Sequence, residues 1–186
     1  MIKIVPYQER WPSEFAQISS NIKAVAREHI LAIHHIGSTS VPGLAAKDII
    51  DIQVTVANLQ VPLDEGLAGI GFEAIQITSD HCPPGMTLSA EHLTKRYFRT
   101  PDRRVHLHVR KLETFNQRYP ILFRDFLRTN ALSRDAYGEI KKQLSRYFPD
   151  HVEAYYDIKD PVCDLIISSA LLWGEATGWK PGPCEA

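Results

Sequence analysis

The apolar pattern of this chain changes period at Thr114, and that switch constrains the fold more than any other feature of the sequence. Upstream, short β-branched runs alternate with turns, which is the pattern of strands; downstream, apolar residues recur every three or four positions, which is the pattern of helices. One helix precedes the strands, because Phe15, Ile18, Ile22 and Val25 form an apolar stripe over 12–29, and Pro12 sits where a first-turn proline is tolerated. Strands are expected at 30–36, 48–56, 72–77, 95–100 and 105–110, with a short helix over 62–68. Pro101-Asp102-Arg103-Arg104 has the turn chemistry of a hairpin between the last two strands, which argues against a purely parallel sheet. Beyond the switch, Phe115, Tyr119, Leu122, Phe123 and Phe126 mark one helix, and Ala136, Ile140, Leu144 and Tyr147 a second. Asp150 is placed to cap a long last helix that Pro161 should kink or restart and Gly178 should end. The pattern predicts an α/β part of the α+β kind, with a mixed or mostly antiparallel sheet, over 1–112. A bundle of about three helices over 113–178 packs on it as one compact unit, and 179–186 forms a loose tail.

With 186 residues, 44% apolar and 23% charged, the chain can bury one substantial core, which excludes disorder and fibrous rods. Three cysteines without a C-x-x-C pair argue against a disulfide framework or a zinc knuckle. No basic-then-apolar leader and no apolar run of ~18 residues is present, so a cytoplasmic, reducing location without membrane attachment is expected. The net charge of −1 conceals a split: 95–146 holds 14 Lys/Arg against 5 Asp/Glu, the remainder 7 against 17. A basic face of that kind attracts polyanions such as nucleotides, while a pI near 6.7 does not indicate a nucleic-acid binder.

The densest chemical cue is His35-Ile36-Gly37-Ser38-Thr39-Ser40-Val41-Pro42-Gly43, where a strand empties into small hydroxyl residues. Such a turn exposes backbone N–H groups and side-chain hydroxyls together and can cradle phosphate, although it is neither a Walker loop nor a dinucleotide fingerprint. The following strand carries polar groups at Asp51, Gln53 and Thr55 on one face, bringing Asp51 near the turn if the two strands pair. On a later strand His106 and His108 share a face. With Asp51 they could make a two-histidine, one-carboxylate metal set; alternatively one histidine could act as general base or hold a phosphate.

The run HIGSTSVPGLAAKDIIDIQV, the later His106-Leu107-His108-Val109 and the late Tyr155-Tyr156-Asp157-Ile158-Lys159 resemble the GrpB family of the nucleotidyltransferase-fold superfamily, over roughly 2–172. The resemblance implies a nucleotidyltransferase-like sheet flanked by helices. It implies Gly37 and Ser38 as the phosphate turn, beside which the hydroxyls of Thr39 and Ser40 are further phosphate candidates, and Asp51 as ligand of a divalent metal, Mg²⁺ or Mn²⁺. Gln53 stands where the superfamily has its second carboxylate, and histidine replaces the third, which weakens a Mg²⁺ site and makes Zn²⁺ or Fe²⁺ an option. The metal set expected from the sequence is therefore Asp51, Gln53, His106 and His108, the catalytic set Asp51, His106 and His108. Lys47, Arg96, Arg104, Arg110 and Lys159 could meet phosphates, and the resemblance backs Lys159 most strongly, within the spacing Tyr155 to Lys159 on one helix face. The implied activity is metal-dependent transfer of a nucleoside monophosphate from a nucleoside triphosphate to an unnamed acceptor. A non-catalytic nucleotide-binding module and a transition-metal phosphoesterase are the alternatives.

Overall fold

The structure, a computed structural model, describes residues 1–101 and 105–185. Helix α1, Trp11–Ala26, leads into strand β1, Ala32–Ile36, and a 3₁₀ turn, Ser38–Ser40, connects it to β2, Ile50–Val56. A short helix α2, Asp64–Gly69, and strand β3, Glu73–Ile75, follow, then β4, Lys95–Arg99, and β5, Val105–Lys111. Three helices complete the chain: α3, Phe115–Thr129, α4, Ala131–Tyr147, and α5, Val152–Thr177. Among the described residues the strands form one sheet in the order β1-β2-β5-β4-β3, with β2 and β5 parallel and the other pairs antiparallel. The expected mixed sheet is thus present, and the parallel pair lies at its centre. The hairpin register pairs Arg99 with His106, whereas the hairpin turn itself, with Arg104, lies outside the described residues.

The alternation of side chains divides this sheet chemically. Ile50, Ile52, Val54 and Val56 of β2, Val105, Leu107 and Val109 of β5, and Phe98 of β4 pack into one cluster with Trp11, Phe15 and Ile22 of α1. That leaves Asp51, Gln53 and Thr55, with His106, His108 and Arg110, on the other face. A face this polar is not closed by apolar packing alone. The C-terminal helices roof it with a second cluster, in which Leu122, Phe126 and Leu127 of α3 meet Tyr137 of α4 and Ile167 and Ala170 of α5. The site lies between that roof and the polar face.

Three local expectations are corrected. Asp150 does not cap α5; its N-cap residue is His151, and the helix runs through Pro161 without a break. In α4 the buried stripe is Tyr137, Gly138, Lys141 and Leu144. It sits one residue out of phase with Ala136 and Ile140, because Tyr137 and not Tyr147 supplies the inward ring. The end of the chain is not loose either. The Glu185 N–H donates to Ile33 O at 3.0 Å, the His35 N–H to Glu185 Oε2 at 3.0 Å, and Arg124 Nη1 to the same oxygen at 2.6 Å, so 184–185 run against the outer edge of β1. Covering an edge in this way removes an open row of backbone donors and acceptors. No helix among the described residues is long and apolar enough to cross a membrane.

Candidate functional site

Gly37 ends β1 at φ +70°, a conformation that L side chains rarely adopt, and a Cβ there would collide with the Asp51 carboxylate. The turn can therefore lie against Asp51 only with glycine at this position. Within it, Thr39 Oγ1 donates to Ile49 O at 3.0 Å and meets His35 Nε2, while Ser40 Oγ donates to Gly37 O at 2.6 Å. Both hydroxyls are buried and engaged within the turn, and Thr39 also borders the cavity described next. Ser38 differs, because its hydroxyl opens into a cavity of about 340 Å³ walled by Lys47, Asp51, Tyr137, Lys141 and Lys159.

The strand register puts Asp51 directly beside His106 and Gln53 beside His108. Asp51 Oδ1 lies 3.2 Å from His106 Nδ1 and 3.9 Å from His108 Nε2. Burial pushes the Asp51 carboxyl up, but hydrogen bonds and charge from His106 and His108 outweigh it and hold the group well below the usual carboxylate range. His108 moves the other way, down to about 4, because it is buried and Arg110 lies beside it. Arg110 Nη2 is 3.3 Å from His108 Nδ1, so Nδ1 accepts and a neutral His108 carries its proton on Nε2, facing Asp51.

Deeper on the same face lies a cluster whose organiser the sequence did not single out, Asp80. Its carboxylate accepts from Lys95 Nζ at 2.6 Å, Arg110 Nε at 2.8 Å and Asn116 Nδ2 at 3.0 Å. Burial raises the Asp80 carboxyl, yet Arg110 and Lys95 bring it well below its ordinary range. Arg110 also donates to Gln53 Oε1 at 2.7 Å, and Gln53 Nε2 donates to Gln117 O at 2.8 Å. Gln53 is fully buried with both ends engaged, and Arg110 is held by Asp80 and Gln53, so neither presents an open donor to the cavity. Arg96 falls on the opposite face, where it donates to Leu59 O, Val61 O and Asp64, and takes no part in the site.

Lys47 and Lys159 do reach the cavity. Lys47 Nζ donates to Tyr156 Oη at 2.5 Å and lies over the Tyr156 ring, while Lys159 Nζ pairs with Asp160 at 2.6 Å and sits 3.7 Å from Cys163 Sγ. The cation that sequence reasoning missed is Lys141 of α4. Its ammonium donates to Ser38 Oγ at 2.7 Å and lies 4.4 Å from the centre of the Tyr137 ring, and no described carboxylate pairs with it. Burial pushes the Lys141 amine down to about 7, with Lys159 and Lys47 adding to the fall and Cys163 and Asp51 opposing it. The signal was available in the spacing Tyr137, Lys141, Leu144, which places a lysine in the middle of a buried stripe.

A divalent ion is poorly matched by this donor set. Asp51 is a single carboxylate whose Oδ1 both imidazoles approach, the Gln53 carbonyl is occupied by Arg110, and Asp80 is saturated by two cations and an amide. Among the described residues no group of three His, Cys, Asp or Glu side chains is arranged to hold a metal.

The fold is that of a mixed-sheet α+β protein whose C-terminal helices close a cation-lined cleft over the polar face of the sheet. The profile of the family described as "GrpB protein" matches residues 1–169, and the chain belongs to the GrpB family. A solved structure described as conserved protein GrpB from Enterococcus faecalis superposes with a TM-score of 0.77 at 31% identity, covering 92% of this chain and 98% of that one. A UPF0157 protein of Halalkalibacterium halodurans is 34% identical over 91% of this chain and 82% of its own length. A protein named dephospho-CoA kinase from Mycolicibacterium paratuberculosis is 30% identical over 97% of this chain, which spans only 48% of that protein's length.

Proposed function

We propose that the cleft binds the phosphates of a nucleotide, with the turn at Gly37 and Ser38 and the ammoniums of Lys47, Lys141 and Lys159 gripping the anion. The observation that carries this reading is the convergence of three lysines and a turn hydroxyl on one cavity, with Lys141 buried and lacking a carboxylate partner. A buried ammonium without a counter-charge is costly, and an anionic ligand offsets that cost. The GrpB resemblance to the nucleotidyltransferase fold and the similarity to proteins named dephospho-CoA kinase support a nucleotide over an unrelated phosphate compound. Calorimetric titration of the purified protein with each nucleoside triphosphate tests it. Binding that Lys141→Met weakens by tenfold or more supports the reading, and saturable binding of none of them refutes it.

A second reading adds catalysis, the transfer of a nucleoside monophosphate to an acceptor hydroxyl. The pairing of Asp51 with His106 Nδ1 favours it, since a carboxylate at Nδ1 leaves Nε2 free to take a proton. In that step the acceptor oxygen bonds to the α-phosphorus, the bond to pyrophosphate breaks, and His106 Nε2 receives the acceptor's proton. Release of pyrophosphate that depends on an added acceptor and disappears in His106→Gln would support it. Tight nucleotide binding with no turnover across an acceptor panel leaves the chain a binding module.

A further inference from the structure

We infer that this cleft takes its polyphosphate as the free anion, neutralised by Lys47, Lys141 and Lys159 in place of a divalent cation. The inference rests on the nucleotide reading above and concerns the charge state of the ligand and the groups that balance it.

Most of the oxygens a metal would need are already engaged within the protein. At the position where the resemblance implies a second carboxylate, Gln53 is fully buried, its carbonyl accepting from Arg110 and its amide donating to Gln117 O. Turning that carbonyl toward a cation would break the bond to Arg110 and leave a buried guanidinium nitrogen without its acceptor. Asp80 is held by Lys95, Arg110 and Asn116, so drawing it to a cation would unpair two buried positive groups. Of these three positions only Asp51 faces the cavity, and one carboxylate beside two imidazoles is a weak partner for an ion that prefers several anionic oxygens.

The positive charge the phosphates need is supplied by amines. Lys141 approaches from α4, Lys159 from α5 and Lys47 from the segment before β2, all walling the cavity that contains Ser38. Lys47 and Lys159 are close enough to Lys141 to depress its amine by like-charge repulsion, so the three act on a common volume. Against them stand Asp51 and the Asp160 carboxylate beside Lys159. A divalent cation entering this volume meets the ammoniums of Lys47 and Lys159 and a Lys141 amine that a bound anion would keep protonated, whereas a chelated triphosphate arrives with half its charge already cancelled. Free triphosphate therefore gains more from the site than its magnesium complex does.

The test is calorimetric titration with ATP and, separately, with inorganic tripolyphosphate, each in EDTA and in excess Mg²⁺. The expected result is binding in EDTA at least as tight as with Mg²⁺, weakening as Mg²⁺ is titrated in. Lys141→Met and Lys47→Met should each lose tenfold or more in EDTA. Asp51→Asn should tighten binding, because it removes a negative charge facing the phosphates, whereas loss of a metal ligand would weaken it. Binding that requires Mg²⁺, or Mg²⁺-enhanced affinity that Asp51→Asn abolishes, overturns the inference while leaving the nucleotide reading intact. Binding of tripolyphosphate without ATP keeps the lysine site and refutes the nucleotide reading. Heat from neither probe under either condition overturns both.

Discussion

Replacing Lys141 by Met should stabilise the protein while destroying the site's affinity for anions. Lys141 is only 3% exposed, and its amine falls from the ordinary 10.5 to about 7 in the folded chain. The unfolded chain therefore holds a proton that the folded chain releases across the window from about pH 7 to 10.5, and stability rises with pH through that window. Below about pH 7 both states are protonated, and the full penalty for burying the ammonium is present. At 1.36 kcal/mol per unit the penalty is about 4–5 kcal/mol, which local relaxation and water reduce. Met has a similar length, no charge and a side chain that adapts to irregular space. The variant is expected to exceed the parent by about 2–3 kcal/mol at pH 7, or roughly 4–12 °C in melting temperature for a chain of this size. The assay is urea unfolding of both proteins at intervals between pH 6 and 10. The gap should shrink steadily with pH and nearly close at the top of the range. A variant less stable than the parent at pH 7, or a gap independent of pH, would refute the reasoning.

Gly37→Ala combines an unfavourable φ with a collision against Asp51, so it should cost about 2–4 kcal/mol and displace the turn, visible as a lower melting temperature and as lost anion binding. Asp80→Asn leaves Lys95 and Arg110 buried without their counter-charge and should cost about 3–5 kcal/mol in urea unfolding. Because Asp80 and Asp51 both titrate below the ordinary carboxylate range, their contribution is present above about pH 4 and lost as acid protonates them, so the parent's acid-unfolding curve should steepen below that point and the Asp80→Asn curve less so. Removing residues 180–186 uncovers the edge of β1 and frees Arg124, which should lower stability and raise concentration-dependent association, measured by light scattering.

Much of this architecture was legible in the sequence because its signals are local. The stripe Phe15, Ile18 and Ile22 and the change of period at Thr114 report which face of each element is apolar, and packing obeys them, except that Val25 is 40% exposed and Ala26 fills the last buried position of α1. Alternation also put Asp51, His106 and His108 on one face, and strand pairing brought them together. What failed needed distances between remote segments. Arg96 and Arg110 read alike as basic residues on adjacent strands, yet alternation sends one to each face, and the anchor that occupies Arg110, Asp80, sits in a loop with no periodic signal. Gln53 reads as a weakened metal ligand until α3 supplies Gln117 and β5 supplies Arg110. Lys141 was hidden by a one-residue error in helical phase, a small shift that moves a buried lysine to the solvent side. The tail read as loose because Glu185 has no local partner; its partners come from β1 and α3.

The most direct measurement is a crystal structure of the protein with a non-hydrolysable nucleoside triphosphate analogue, grown in EDTA. A phosphate group within hydrogen-bond distance of Ser38 and Lys141, with Lys47 or Lys159 on the same chain of phosphates, is the predicted result. An analogue seated elsewhere, such as the groove of about 1200 Å³ between 83–86 and the outer side of α5, with the lysine cavity holding only water, would contradict it.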